Sequence, residues 1–279
     1  TESGRLMQIP GEDLTGCHSA TAFVGWYNGH PDFRDYVFDL SHETAVIVGQ
    51  GNVAIDVCRM LTKTVDELRH TDIAEHALNA LAESNVRHVY LIGRRGPVQA
   101  KFTYQELKEV TELSTCALET REDEMTLNPA SEAEIAKGDG AARGLLRNYE
   151  TLKKFTTQSN PTKPRRCTLR FFLSPIELMG NDSLQQVMFE RNHLTGPPGQ
   201  QTAIGTGEYE TIDCGLLLSS IGYHGTPMRG VPFDSAQGII PNDQGRVIDD
   251  DGPVPGLYAV GWVKRGPTGL IGTNKADAK

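Results

Sequence analysis

The chain has 279 residues, of which 38% are apolar and 23% charged, with a net charge of −9. That is enough for one large or two ordinary domains with an apolar core, and no apolar run reaches the roughly eighteen residues a membrane-spanning helix needs. The acidic balance argues against nucleic acid as the main partner, because phosphate backbones want a basic surface, but it leaves room for a local basic patch facing an acidic protein.

Residues 1–43 are rich in Gly, Pro, Asp and His, with turns at Pro10-Gly11 and Gly29-His30-Pro31. The opening TESGRLMQIPGEDL lacks the basic-then-apolar layout of a secretory signal. His18, His30 and His42 in this segment read as surface histidines rather than catalysts. Residues 44–61, TAVIVGQGNVAIDVCRML, follow the order strand, glycine turn, amphipathic helix. Thr64 with Glu67 three residues later has the spacing of a capping box, opening a helical stretch over 64–82. A β-run, VRHVYLI (86–92), stops abruptly at Gly93-Arg94-Arg95-Gly96-Pro97. FTYQELKEVTEL (102–113) is a helix candidate that opens on Thr103 with Glu106 as capping partner.

Residues 119–140 are acidic and Ala/Gly-rich, and 158–166 are polar and breaker-rich, so both read as surface excursions. CTLRFFLSPIEL (167–178), LQQVMFERN (184–192) and CGLLLSSIGY (214–223) read as strands, the first two joined as a hairpin through Gly180-Asn181-Asp182-Ser183. Short β-pieces and turns follow, and the domain boundary falls near residue 225. The five cysteines, Cys17, Cys58, Cys116, Cys167 and Cys214, form no CxxC pair. Their odd number and spread suit buried thiols in a reducing compartment such as the cytoplasm, with the mitochondrial matrix also open, and argue against a zinc site or a dithiol redox centre.

Gly49, Gly51 and Ala54 carry the chemistry. In a dinucleotide fingerprint the first glycine makes the tight turn, the second lets backbone approach a pyrophosphate, and the third small residue lets helix pack on strand. The helix N-terminus adds unpaired N–H groups and partial positive charge. The same glycines would also suit a βα turn that holds no ligand, so the next element discriminates. An NAD-binding unit keeps a carboxylate at the end of its second strand for the ribose 2′-hydroxyl. Here that strand ends in Arg94-Arg95, whose guanidiniums suit the 2′-phosphate of NADP. A solvated basic turn is the plainer alternative for the pair taken alone. The interval between turn and arginines exceeds the usual one of about twenty residues, which the extra stretch 64–82 explains.

The segments VIVGQGNVAIDV, LIGRRGPVQAKFTYQELKE, LRFFLSP, LSSIGY and GLYAVGWVKRGPTGLIGT resemble, in the same order, the adrenodoxin reductases and bacterial NADPH-ferredoxin reductases. The resemblance runs through nearly the whole chain and weakens across about 115–165. It implies a flavoenzyme that takes hydride from NADPH onto FAD and passes single electrons to a ferredoxin-like iron–sulfur protein. It further implies that Gln50, Gly51, Asn52 and Val53 line the NADP pyrophosphate turn, with Gly49 opening it. Arg94 and Arg95 would take the 2′-phosphate and Glu106 would contact the nucleotide. Trp262, Gly269, Leu270 and Ile271 would lie against FAD. Lys108 stands where the family keeps a basic docking residue, and Arg143 and Arg147 are candidates for the remaining docking cations. No second glycine fingerprint precedes residue 44, so the chain is expected to be a fragment that binds NADP without retaining FAD.

The expected fold is therefore α/β: a Rossmann-like NADP-binding domain over 1–225, followed by part of a split FAD-binding domain over 226–279. The rivals are the NADPH/FAD subunit of a glutamate-synthase-like reductase, and an NADP-binding module without redox activity.

Overall fold

The computed structural model describes residues 2–156, 163–267, 274–275 and 277–278. The chain forms two compact units, Leu6–Ile221, and Gly222–Lys279 together with Thr1–Arg5. The second unit takes in strand β1 (Glu2–Gly4), the first element of the chain.

In the larger unit, β2 (Cys17–Ser19) leads into α1 (Ala20–Tyr27), whose N-cap Ser19 accepts the Ala22 N–H. This helix lies in the turn-rich opening, where no helix was expected. Its aromatic residues Phe23 and Trp26 are buried and pack against Phe38. His18 is half-buried against the same ring, 4.7 Å between centroids, and so is not a surface residue. Strand β3 (Thr44–Val48) and helix α2 (Asn52–Thr62) realise the strand–turn–helix of the sequence.

The stretch 64–82 is two helices, α3 (Val65–Arg69) and α4 (Glu75–Ala82), not one. The Thr64–Glu67 capping box forms in full at the start of α3. Strand β4 (His88–Ile92) and helix α5 (Tyr104–Thr111) follow. The acidic segment lies mostly at the surface, as expected, but it also has regular structure and buried positions. It follows directly on strand β5 (Cys116–Thr120), carries the fully buried Glu124, and includes α6 (Pro129–Ile135) and the start of α7 (Gly140–Lys153).

The strand read over 167–178 divides into β6 (Arg165–Arg170) and β7 (Leu173–Gly180). Phe172 breaks it by adopting φ +59°, a left-handed backbone that no β-ladder accommodates. The hairpin of β7 with β8 (Leu184–Thr195) forms as expected, and β9 (Thr202–Asp213) adds a third antiparallel strand. Strand β10 (Leu216–Ser219) closes the unit.

The main sheet is six-stranded and parallel, in the order β2-β10-β3-β4-β6-β5. Its central strands β3 (TAVIV) and β10 (LLLS) are near-continuous apolar runs because both faces are covered. Ala45 and Ile47 cluster with Ile55, Cys58 and Leu61 of α2 on the helical face. Val46 and Val48 cluster with Leu178, Val187 and Phe189 of the antiparallel sheet on the other. Alternation along one five-residue strand thus feeds two cores, each buried aliphatic side chain contributing about 1.5–3 kcal/mol. The smaller unit pairs β1 with β11 (Tyr223–Gly225) and holds a three-stranded sheet of β12 (Asn242–Asp243), β13 (Arg246–Asp249) and β14 (Gly252–Tyr258), followed by α8 (Trp262–Arg265). Among the described residues no helix is long and apolar enough to cross a membrane. All five cysteines are free, and all but Cys17 are buried.

Candidate functional site

The glycine turn and the arginine pair come together at the C-terminal ends of the adjacent strands β3 and β4, which are in register from Thr44↔His88 to Val48↔Ile92. This is the edge of an open parallel sheet where ligands sit in such folds. Gly49 closes the turn at φ +131°, its N–H donating to the Ile92 carbonyl at 2.8 Å. A Cβ at Gly49 would stand 2.1 Å from the Ser220 carbonyl oxygen, so no other residue fits there. Gly51 is the N-cap of α2 and has no capping side chain. A Cβ built on it meets nothing within 4 Å. The first-turn N–H groups of α2 therefore face an open cradle, and helix geometry leaves them without intrahelical acceptors.

The neighbouring side chains point elsewhere. Gln50 Nε2 donates to the carbonyls of Arg170 (2.9 Å) and Leu91 (3.3 Å), while the Gln50 main-chain carbonyl accepts the N–H groups of Lys101 (2.7 Å) and Phe102 (3.1 Å). Gly93 leaves room for this amide, since a Cβ there would lie 2.1 Å from Gln50 Oε1. Asn52 Oδ1 accepts the Thr103 N–H at 2.8 Å. Val53 packs against the core. Gln50, Asn52 and Val53 thus build and brace the turn, leaving its backbone to meet an anion.

Thr103 caps α5 by accepting the Glu106 N–H at 3.5 Å, but its own N–H is taken by Asn52. The capping box expected there is therefore replaced by a tie between the two helices. Glu106 stands 3.9 Å from Arg59, which also pairs with Asp56 (2.9 Å) and Glu109. Burial raises the Glu106 pKa, and the charges of Asp56 and Glu109 add to it against the pull of Arg59. This carboxylate cluster around Arg59 was not legible in the sequence, because its members come from two helices.

Arg94 is exposed and Arg95 half-buried, and neither guanidinium has an ion-pair partner among the described residues. Burial lowers the Arg95 pKa, and the neighbouring Arg94 charge adds to that. The Glu134 carboxylate pulls the Arg95 pKa the other way without forming an ion pair, and two guanidiniums side by side can clasp a doubly charged phosphate. A cleft of about 240 Å³ opens next to the pair, lined among others by Gly96, Pro97, Leu127, Phe172 and His193.

Trp262 belongs to the smaller unit, where it stacks on Tyr223 at 5.7 Å and 28°. Its Nε1 is buried with no hydrogen-bond partner among the described residues. Gly269, Leu270 and Ile271 lie outside the described residues.

No protein-family model matches the chain. It is 42% identical over 281 residues to the NADPH-ferredoxin reductase FprA of Mycobacterium tuberculosis, covering 100% of this chain and 59% of that one. It is 42% identical over 295 residues to the mitochondrial NADPH:adrenodoxin oxidoreductase of Arabidopsis thaliana, again covering 59% of the relative, and 43% identical over 290 residues to that of Bos taurus. The solved structure of M. tuberculosis FprA in complex with NADPH superposes with a TM-score of 0.90 at 41% identity over 99% of the chain. The homologues of the chain, at about 42% identity over nearly its whole length, are thus adrenodoxin reductases and NADPH-ferredoxin reductases. The chain spans 57–59% of the length of these relatives. The resemblance read from five sequence segments is thereby shown, as is the α/β class of the fold.

Proposed function

We propose that the chain is the NADP-binding domain, with part of a split FAD-binding domain, of an NADPH:ferredoxin oxidoreductase of the adrenodoxin reductase type. The observation that carries this reading is the pairing of two features at one sheet edge: an open cradle at Gly51 over the N-terminus of α2, and a guanidinium pair without a carboxylate at the end of the next strand. Backbone N–H groups of residues 51–54 would hold the pyrophosphate, Gly49 keeping the turn tight. Arg94 and Arg95 would hold the 2′-phosphate, and Glu106 would face the nucleotide from α5. Trp262, whose Nε1 has no hydrogen-bond partner among the described residues, would face FAD, with Gly269, Leu270 and Ile271 proposed beside it.

When bound, NADPH supplies a hydride, and FAD accepts it and releases electrons one at a time. The side chains named here bind and orient, and none of them is assigned a proton transfer. The partner is a ferredoxin-like iron–sulfur protein with an acidic face. Lys108, Arg143 and Arg147 are exposed on α5 and α7, and Arg147 lies 3.4 Å from the Tyr104 ring centroid, which holds its charge beside α5. The free, mostly buried thiols support a reducing compartment, cytoplasm or mitochondrial matrix.

The test is a comparison of NADP and NAD affinities, followed by NADPH-dependent reduction of a ferredoxin by the flavin-loaded protein. NAD binding as tight as NADP would overturn the reading. Flavin-loaded protein that binds NADP tightly yet reduces no ferredoxin would favour the plain NADP-binding module.

A further inference from the structure

Resting on the NADP reading, the inference concerns how the arginine pair is held in place. The loop carrying Arg94 and Arg95 has no ion pair among the described residues to fix it, yet its backbone is tied down at two adjacent carbonyls. The Arg95 carbonyl accepts the Phe172 N–H at 3.0 Å. The Arg94 carbonyl accepts Asn192 Nδ2 at 2.9 Å, and the same amide nitrogen donates to Ser174 Oγ at 2.9 Å. The Asn192 N–H in turn donates to the Phe172 carbonyl at 2.7 Å. These bonds close a ring: Arg94, Arg95, Phe172, Asn192, and back to Arg94.

Phe172 pays for its place in this ring with a φ of +59°, a conformation that costs a non-glycine residue stability and persists only where the surroundings impose it. Such strain is stored at ligand clamps more often than elsewhere. Gly96 admits the ring of Phe172, because a Cβ there would lie 2.9 Å from it. The amide assignment follows from chemistry, since only the NH₂ end of Asn192 can donate to a carbonyl.

We infer that Asn192, on the hairpin strand β8, is the positioning residue for the 2′-phosphate arginines, fixing the Arg94 carbonyl so that both guanidiniums converge on one phosphate. It touches the backbone of the loop rather than the ligand, and so acts on cofactor preference rather than on the pyrophosphate turn. Sequence gives no hint of this, because Asn192 lies 98 residues beyond Arg94 in a different sheet.

The experiment measures dissociation constants for NADP and for NAD in the wild-type protein, Asn192→Leu and Asn192→Ala, with thermal unfolding alongside. Loss of one such hydrogen bond should weaken NADP by about three- to tenfold while leaving NAD unchanged, so the preference ratio falls by the same factor. A merely structural role would lower both affinities together or only the unfolding temperature. An unchanged ratio in a folded variant overturns the inference while the NADP reading stands. A wild type without preference for NADP overturns both. Two variants are named so that one misfolded protein does not decide the matter.

Discussion

The Gln50 side-chain amide donates to the main-chain carbonyl of Arg170 at 2.9 Å, across 120 residues of sequence. The glycine turn is thus anchored on β6, whose last residue is itself held from below. Arg170 Nε donates to the fully buried Glu124 at 2.8 Å, and Glu124 also accepts the Phe171 N–H at 2.7 Å. Burial pushes the Glu124 carboxyl up, opposed by Arg170 and by that N–H. Removing Glu124 leaves Arg170 with Glu210, 2.7 Å from its Nη2, as its remaining carboxylate, and leaves the Phe171 N–H without its acceptor. Glu124→Ala should therefore destabilise the protein by about 1–3 kcal/mol in a denaturant titration. A loss below about 1 kcal/mol, the range of exposed ion pairs, would show that the pair is solvated.

Arg94→Ala combined with Arg95→Ala should separate the two cofactors. Charge-assisted hydrogen bonds contribute about 1.5–3 kcal/mol each, so NADP affinity should fall at least about tenfold while NAD affinity holds. Calorimetry with both nucleotides checks it. Equal weakening would mean that the pair does not read the 2′-phosphate.

The two glycines of the turn should fail in different ways. Gly51→Val adds atoms where a Cβ meets nothing, so the fold should stand while nucleotide binding is lost to exclusion. Gly49→Ala puts a Cβ 2.1 Å from the Ser220 carbonyl at a φ of +131°, so the fold itself should suffer, by at least about 1–3 kcal/mol of backbone strain. Unfolding curves and NADP titrations of both variants distinguish these outcomes. Unchanged NADP affinity in Gly51→Val would place the phosphates elsewhere.

His88 should make stability depend on pH. Its pKa is lowered from the model-peptide value of 6.5 to about 4, by burial and then by the Arg166 charge. A depressed folded-state pKa means that the unfolded chain takes up the proton first. The His88 contribution is therefore present above pH 6.5 and is lost as pH falls toward about 4. Neutral His88 shares a hydrogen bond with Thr168 Oγ1 at 2.8 Å, which His88→Gln can replace without titrating. Denaturant midpoints of the variant between pH 7 and 4.5 should fall less steeply than those of the wild type. Parallel curves would remove His88 from the account.

The sequence by itself determined what is written in adjacent residues. The strand–turn–helix over 44–62, the Thr64–Glu67 box, the β7–β8 hairpin and the arginines at the end of β4 all follow from patterns a few residues long, because backbone geometry and capping act within one or two turns. The family resemblance rests on five short segments, two of which carry the glycine turn and the arginine pair. Tertiary structure alone decided the rest. The placing of β10 beside β3 joins residues some 170 positions apart, as in Leu216↔Ala45. Glu124 looks solvated in an acidic stretch, and is buried only because Arg170 arrives from β6. The strand over 167–178 breaks at Phe172 because Asn192 and Arg95 bond its backbone into a left-handed turn. Gln50 reads as part of a phosphate loop, yet its side chain is spent on β4 and β6. Each of these depends on a partner distant in sequence, and local periodicity carries no information about such partners.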